Sequence, residues 1–211
     1  MGGGVTVDVV IPWRDTGDPY RRAHYWYLRR WYEQGGFRVV VGDNPGDFNR
    51  AAARNAGVRA ATADVVAVVD ADNLILPAQI TRAAELAGLG GGWAKPFSKF
   101  GYLSPESTDH WYSTENLVDP TWEGDGPQAD FNGGAYVMSR AAWGALGGMD
   151  EEFTGWGAED DAFTIVARRH LGQPHIVPGL AYHLWHPAAR VTSPENYRRL
   201  MEEYVNGHQP S

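Results

Sequence analysis

The sequence predicts a single α/β domain built around a mostly parallel central sheet that is flanked by helices. Three strand-and-helix units follow one another in the first half, a pattern typical of a parallel sheet covered by its crossover helices. Of the 211 residues, 43% are apolar, which is enough to bury the core of one domain. The sequence shows neither an internal repeat nor a linker between domains, so we expect residues 1–211 to form one domain.

The first half alternates between strand and helix periodicity. VTVDVVI (5–11) is β-branched and apolar, which is typical of a central strand, and PYRRAHYWYLRRWYEQ (19–34) is apolar at helical spacing until Gly35. The same alternation predicts strands at 37–42 and 63–70 and helices at 47–61 and 77–89. The carboxyl ends of these parallel strands should meet at one edge, where open α/β sheets bind ligands.

The second half is less regular. Residues 98–130 are polar, contain glycine, proline and aromatic residues, and predict a mobile or specificity-determining insert. Beyond the insert we expect a strand at 131–139, a short helix capped by Ser139, a helix at 158–171 ended by Gly172, an extended segment at 175–187, and a last helix from Ser193 to about Gly207.

Charge and cysteine content exclude several classes of protein. The formal net charge is −8 and no basic stripe stands out, which argues against a nucleic-acid partner. There is no cysteine, so disulfides and thiolate metal sites are excluded. We find neither an apolar run that could span a bilayer nor the pattern of a secretory signal, and we therefore expect a cytoplasmic protein without an integral membrane segment.

Two carboxylates follow the third predicted strand. In VVAVVDADN (65–73), Asp70 and Asp72 are two residues apart, so they should share one face of an extended backbone. A divalent cation such as Mg²⁺ or Mn²⁺ would offset the repulsion between them. A solvated turn at the end of the strand is the alternative, because Asp and Asn are common in turns.

Two further segments favour a ligand site over a turn. GGMDEEFTGWGAEDDAF (147–163) has more acidic residues than a helix cap needs, and it sets Trp156 between two glycines, where the indole would cover a ligand. In HLWHP, His183 and His186 are spaced so that both imidazoles could reach one cation.

Together these motifs resemble the GT-A glycosyltransferases. The order VDADN, FNGG, GWGAEDD and HLWH is similar to the beta-1,4-galactosyltransferase and chondroitin-polymerase branch, families 2 and 7, and to the polypeptide N-acetylgalactosaminyltransferases. The resemblance covers almost the whole chain, from IPWR (11–14) to HLWHP (183–187). It implies a GT-A, Rossmann-like fold and a transferase dependent on Mn²⁺ or Mg²⁺ that moves a sugar from a nucleotide-sugar, usually UDP-linked, to an acceptor hydroxyl.

The resemblance implies a role for each matching position. The metal ligands would be Asp72, His183 and His186, and the chain offers a second His where the galactosyltransferases have Met. Asp160 would be the catalytic base, and Glu159 the acid that binds the acceptor. The positions implied to bind nucleotide or donor are Pro12, Arg14, Asp43, Arg50, Asp70, Asp72, Gly133, Gly134 and Trp156.

On this interpretation residues 1–97 form a nucleotide-binding half, and residues 98–211 form a half that binds the acceptor and carries the catalytic acids. GWGAEDD is more similar to inverting members of the family, so we expect inversion at the anomeric carbon, with retention as the alternative. The acceptor could be a glycan, a protein or a small molecule. The aromatic residues of the insert would either stack on it or pack the insert onto the domain.

Two other functions fit parts of the pattern. A nucleotidyltransferase that makes sugar nucleotides shares the sheet and the acidic metal site, but it usually holds a triphosphate with a glycine-rich, basic loop after the first strand. Here that loop, IPWRDTGDPYRR, has one glycine and no lysine. A non-catalytic saccharide-binding protein could use the same scaffold, although the retention of every acidic residue argues against it.

Overall fold

The computed structural model describes residues 5–88, 92–129, 131–187 and 193–207, and its strands form two sheets. In chain order the strands are β1 (Val7–Pro12), β2 (Arg38–Gly42), β3 (Val65–Val69), β4 (Asn73–Leu74), β5 (Trp93–Lys95), β6 (Lys99–Tyr102), β7 (Ala135–Ser139), β8 (His175–Ile176) and β9 (Leu180–His183). Six of them form the central sheet in the order β2-β1-β3-β7-β5-β8, and three form a smaller sheet in the order β4-β9-β6.

Within the described ranges the helices are α1 (Pro19–Gln34), α2 (Arg50–Ala60), α3 (Pro77–Gly88), α4 (Pro105–Thr114), α5 (Arg140–Ala145), α6 (Glu159–Leu171) and α7 (Pro194–Arg199), which continues as a π-helical segment, Leu200–Val205. Five of these helices, α1, α2, α4, α5 and α7, begin after a side chain that caps them. The side chain of Asn49 caps α2, so this helix begins three residues after the predicted start at residue 47. The predicted caps Ser139 and Ser193 are both observed.

The central sheet is mostly parallel, as predicted, and one strand runs the other way. Strand β1 is parallel to both β2 and β3, as the alternation of strands and helices in the first half predicts, and β5 is parallel to β8. Strand β7 instead runs antiparallel between β3 and β5. The chain reaches β7 from the insert without a crossover helix, so β7 starts at the ligand edge and runs back through the sheet.

Both faces of the central sheet are covered, which explains why β3 is a continuous apolar run. All five of its residues are buried. One core lies beneath α1 and α3, around Leu28 and Ile80. A second core on the opposite face contains Trp143 and Phe163 from α5 and α6.

The described part of the insert, residues 98–129, packs onto the rest of the domain. Its strand β6 pairs in parallel with β9, and its helix α4 buries Trp111 in the core beneath α1. A bridge between Phe100 and Gln128 closes the insert on itself. The smaller sheet therefore connects the insert to the histidine-bearing end of the chain.

Helix α2 packs closely on the central sheet at Gly57, which makes this glycine a test of the fold. A Cβ atom at Gly57 would lie 2.4 Å from Val10 Cγ1 and 3.2 Å from the Cα of Gly42. We expect Gly57→Ala to lower the free energy of unfolding by about 1–3 kcal/mol, because the helix must move off the sheet. Urea denaturation followed by circular dichroism measures the change.

The matched control is Gly144→Ala in α5, where a Cβ atom would meet nothing within 4 Å. This substitution should leave the free energy of unfolding unchanged or raise it by up to about 1 kcal/mol through helix propensity. Equal stabilities for the two variants would contradict the packing of α2.

Candidate active site

A cavity of about 490 Å³ opens at the carboxyl ends of β1 and β3. Its other walls come from β9, the start of α6 and the segment before β7. The predicted site residues that line it are Pro12, Arg14, Arg50, Asp70, Asp72, Gly133, Gly134, Trp156, Glu159, Asp160, His183 and His186. The fold therefore brings residues from Pro12 to His186, which are far apart in the sequence, into one cavity.

The predicted metal ligands lie together at one end of this cavity. Strand β4 pairs with β9 so that Asn73 faces His183, and the amide of Leu184 donates to the carbonyl of Asp72 at 2.8 Å. Asp72 Oδ2 lies 3.6 Å from Nε2 of His183 and 3.4 Å from Nε2 of His186. One ligand atom from each of the three residues lies within 4.8 Å of the others, so the donor set fits a single divalent ion.

The charges of this cluster support cation binding. Burial opposes ionisation of Asp72, but the neighbouring His183 and His186 overcome it and hold the pKa of this carboxyl below its ordinary value. The hydrogen bond to Asp72 in turn raises the pKa of His186, against the effect of burial. Protons at the histidines and a metal ion would therefore compete for the same carboxylate.

The loop between the two histidines is held from three directions through Trp185. Its carbonyl lies 3.0 Å from Nε2 of His24, a buried residue of α1. Its amide donates to Thr108 Oγ1 at 2.9 Å, and its indole donates to Glu123 Oε1 at 2.6 Å. Helix α1 and the insert thus fix the backbone that carries the histidine pair.

His24 is a site residue that the sequence analysis missed. Burial lowers the pKa of His24 to about 4, so the ring is neutral near pH 7. A neutral ring with its proton on Nε2 can donate to the carbonyl of Trp185 and accept from the hydroxyl of Tyr112 at Nδ1. In the sequence His24 is one of several residues on the apolar face of a predicted helix. Only its contact with Trp185, far away in the sequence, distinguishes it from the others.

Three carboxylates gather at the other end of the cavity around two arginines. Arg54, which is 1% exposed, lies 2.6 Å from Asp70, 3.0 Å from Asp160 and 3.7 Å from Glu159. Arg50 lies 2.7 Å from Glu159. Arg50 is predicted from the sequence to bind the nucleotide, whereas Arg54 has no predicted role. An arginine in the middle of a helix usually lies on the face that is exposed to solvent.

The two arginines give the three acids different proton affinities. Burial opposes ionisation of Asp160, but Arg54 and then Arg50 overcome it, so its pKa lies below the ordinary value. Burial raises the pKa of Asp70, and Arg54 offsets this only in part. Burial and the adjacent Asp160 raise the pKa of Glu159. Asp160 is therefore the acid of this group that is most readily ionised.

The double glycine is positioned by a buried lysine. Lys95 Nζ donates to the carbonyl of Gly133 at 2.8 Å and to that of Asn132 at 2.5 Å. Burial lowers the pKa of Lys95 to about 7. Gly134 has a φ of 87°, and a Cβ atom there would lie 2.9 Å from the Phe100 ring. Lys95 is a second buried cation that the sequence analysis did not identify.

Two of the predicted residues, Asp43 and Trp156, are exposed. Asp43 does not line the cavity, and its Oδ1 forms an ion pair with Arg14 Nη2 at 2.7 Å. Trp156 is exposed between Gly155 and Gly157, which both have positive φ. Base recognition by Asp43 and movement of Trp156 over a ligand stay predictions.

Aromatic rings form the wall next to the metal cluster. Phe100 and Phe131 stack with their centroids 4.1 Å apart, and the Tyr102 ring lies 4.8 Å from the His183 ring. All four residues line the cavity. The insert therefore contributes directly to the site through β6, whether its rings also stack on a ligand or only pack.

Two family models of glycosyltransferases match the sequence. The model of glycosyl transferase family 2 matches residues 25–91, and the model described as the N-terminal domain of galactosyltransferase matches residues 117–179. The first match includes Arg50, Asp70 and Asp72, and the second includes Gly133 and Asp160. No curated protein matches the sequence significantly.

Several solved structures share the fold. GalNAc-T7, solved with UDP, GalNAc and Mn²⁺, is 13% identical, with a TM-score of 0.56 over 96% of this chain and 49% of that one. S. aureus TarS, solved with UDP-GlcNAc, is 14% identical, with a TM-score of 0.54 over 95% of this chain and 66% of that one. A Drosophila beta-1,4-galactosyltransferase 7 variant, solved with manganese, UDP-Gal and xylobiose, is 18% identical, with a TM-score of 0.47 over 82% and 64%.

The chain shares the fold of GT-A glycosyltransferases, and two separate stretches of its sequence match glycosyltransferase family models. Its earlier part is similar to family 2, and its later part is similar to the galactosyltransferases. The chain spans between about half and two thirds of the length of these solved structures. Within the described ranges, every helix is too short or too polar to traverse a lipid bilayer.

The metal cluster makes a prediction that does not depend on activity. We expect Asp72→Ala, and separately His186→Ala, to weaken Mn²⁺ binding at least about 100-fold, because loss of an outer-shell partner alone typically costs 10- to 100-fold. Isothermal titration calorimetry with MnCl₂ measures the affinity. The control is His110→Ala, an exposed histidine of α4, which should bind Mn²⁺ as the unsubstituted protein does. Unchanged affinity in both cluster variants would rule out this site.

Proposed function

We propose that this protein transfers a sugar from a UDP-sugar to an acceptor hydroxyl, with a divalent ion as cofactor and with inversion at the anomeric carbon. One observation carries the proposal. A single cavity presents a set of metal ligands, Asp72, His183 and His186, at one end and a readily ionised carboxylate, Asp160, at the other. The division of the chain into a nucleotide half and an acceptor half, and a cytoplasmic location, stay predictions of the sequence.

The metal cluster would bind the diphosphate end of the donor. A divalent ion held there, Mn²⁺ or Mg²⁺, would neutralise the negative charge that develops on the leaving diphosphate. UDP as the carrier is supported by GalNAc-T7 and TarS, which share the fold and were solved with UDP and UDP-GlcNAc. Arg14 and Arg50 line the same cavity and would contact the nucleotide by turning from their present partners, Asp43 and Glu159.

Asp160 would act as the general base. It is ionised at neutral pH, because the two arginines hold its pKa below the ordinary value, and it lies in the cavity at the start of α6. Its carboxylate would take the proton of the acceptor hydroxyl as that oxygen attacks the anomeric carbon. Attack from the side opposite the diphosphate inverts the configuration of that carbon.

The rim and the aromatic wall would select the acceptor and exclude water. Phe131 and Tyr102 present ring surface between the metal cluster and Asp160, which suits the apolar face of a sugar or an aromatic group. Trp156 would close over the donor and limit its hydrolysis. Glu159 would bind the acceptor only after separating from Arg50, so this role depends on Arg50 turning to the nucleotide.

One assay separates this proposal from the two alternatives. The protein is incubated with UDP-sugars, Mn²⁺ and candidate acceptors, and the release of UDP is measured. A nucleotidyltransferase would instead release pyrophosphate from UTP and a sugar phosphate, and a saccharide-binding protein would release neither. A thermal-shift screen of nucleotides and nucleotide-sugars, with and without Mn²⁺, selects the donor beforehand.

Substitution of the proposed base should separate turnover from binding. We expect Asp160→Asn to lower kcat by about 100- to 10,000-fold, because an amide cannot accept the proton. The affinities for Mn²⁺ and UDP, measured by calorimetry, should stay within about threefold. Asp109→Asn, on an exposed position of α4, is the control and should keep normal turnover. Near-normal kcat in Asp160→Asn would remove Asp160 from the role of base.

Removal of the metal should abolish transfer reversibly. With excess EDTA we expect the release of UDP to fall to background, and added MnCl₂ should restore it, because the divalent ion would neutralise the charge that develops on the leaving diphosphate. MgCl₂ and CaCl₂ are tested in parallel to rank the metals. Full activity in the chelator would contradict the proposed cofactor.

A further inference from the structure

Asp160 is held through one of its two carboxylate oxygens. Oδ1 accepts from Arg54 Nη1 at 3.0 Å and from the hydroxyl of Tyr136 at 2.9 Å. Both donors are buried: Arg54 is 1% exposed and lies on α2, and Tyr136 is 1% exposed and lies on β7. Two separate elements of the core therefore fix the orientation of this side chain.

The other oxygen, Oδ2, faces the double glycine. A Cβ atom built on Gly133 would lie 3.0 Å from Asp160 Oδ2 and 3.2 Å from Cε1 of Phe131. Gly133 therefore leaves open the space between Oδ2 and the aromatic wall. Lys95 Nζ donates to the carbonyl of Gly133 at 2.8 Å, and this bond restrains the backbone beside that space.

Arg54 also connects Asp160 to the end of β3. Its Nη2 lies 2.6 Å from Asp70, at the end of β3, while its Nη1 contacts Asp160. The guanidinium is planar and presents its donors in a fixed arrangement, so the position of one carboxylate constrains the other. Asp160 is thereby kept in register with the strand end where the donor would bind.

We propose that Arg54 and Tyr136 are positioning residues that saturate Oδ1 of Asp160 and leave Oδ2 as the atom that accepts the proton. The inference rests on the proposed transferase function. The acceptor O–H bond breaks and its proton moves to Oδ2, while the acceptor oxygen bonds to the anomeric carbon. The bond from that carbon to the diphosphate oxygen breaks, and its electron pair leaves with the diphosphate.

A purely structural role for the two residues would also place donors beside a buried acid, so the test must separate orientation from stability. Tyr136→Phe removes one donor from Oδ1 and keeps the ring that packs on Phe163 and Trp93. We expect kcat to fall about 10- to 100-fold, because a misplacement of about 1 Å can cost about 100-fold. The KM for donor, the Mn²⁺ affinity and the urea midpoint should stay close to those of the unsubstituted protein.

The control is Tyr25→Phe, another buried tyrosine, whose hydroxyl accepts from the half-buried Arg29 on the same helix. It should leave kcat unchanged. Arg54→Lys is the second variant. It keeps a buried positive charge but loses the paired guanidinium donors that contact both Asp160 and Asp70. We expect it to lower kcat with little change in the Kd for UDP. Turnover within about threefold of normal in both Tyr136→Phe and Arg54→Lys would overturn the inference.

Crystal structures of the same variants give a readout that does not require activity. The inference expects the Asp160 carboxylate to rotate, so that Oδ2 no longer faces Gly133, in Tyr136→Phe and Arg54→Lys but not in Tyr25→Phe. An unmoved carboxylate would overturn it. If the unsubstituted protein releases no UDP from any UDP-sugar, the proposed function fails, and the crystal structures still decide whether the two residues orient Asp160.

Discussion

Carboxylates crowded at one edge of a buried sheet repel one another, and the neutralisation of that repulsion determines how this site is built. Asp70 and Asp72 leave the same strand end two residues apart, yet they turn to different partners. Asp70 pairs with the buried Arg54, whereas Asp72 lies against His183 and His186. An arginine keeps its positive charge at neutral pH. An imidazole can instead lose its proton and bind a divalent ion beside the carboxylate. One acid is thus committed to the protein, and the other is available to a ligand.

The metal-ligand end depends on contacts made far away in the sequence. The register of β4 against β9 brings Asp72 to the histidines, and the smaller sheet also contains β6 of the insert. The backbone of Trp185 then bonds to His24 and Thr108. Because the insert carries Phe100 and Tyr102 of the aromatic wall as well as Thr108, a rearrangement of that wall would also be felt at the histidine loop.

The opposite end is held rigid by buried charges. Lys95 and Arg54 are buried, and the side chain of Asp160 is 23% exposed, so their mutual interactions are stronger than those between charges at the surface. Such a cluster is costly to assemble, and it tolerates the loss of any one member poorly. In return it fixes dipoles and charges before a substrate arrives, which is how enzymes stabilise developing charge without reorganisation.

The local pattern of the chain was sufficient for most elements and for the composition of the cavity. Pro19 to Gln34 was predicted as a helix from its periodicity and from the glycine that follows, and α1 has these bounds. The predicted site residues line one cavity, apart from Asp43, because short motifs at strand ends must meet at a single sheet edge.

The direction of β7 was not predictable, since periodicity is the same for a parallel and an antiparallel strand. Arg54, His24, Lys95 and Tyr136 were not identified, because each looks locally like an ordinary helix or strand residue. Only the packing of distant segments buries them beside the acids and the histidine loop, and burial is what turns an ordinary side chain into one that controls charge and orientation.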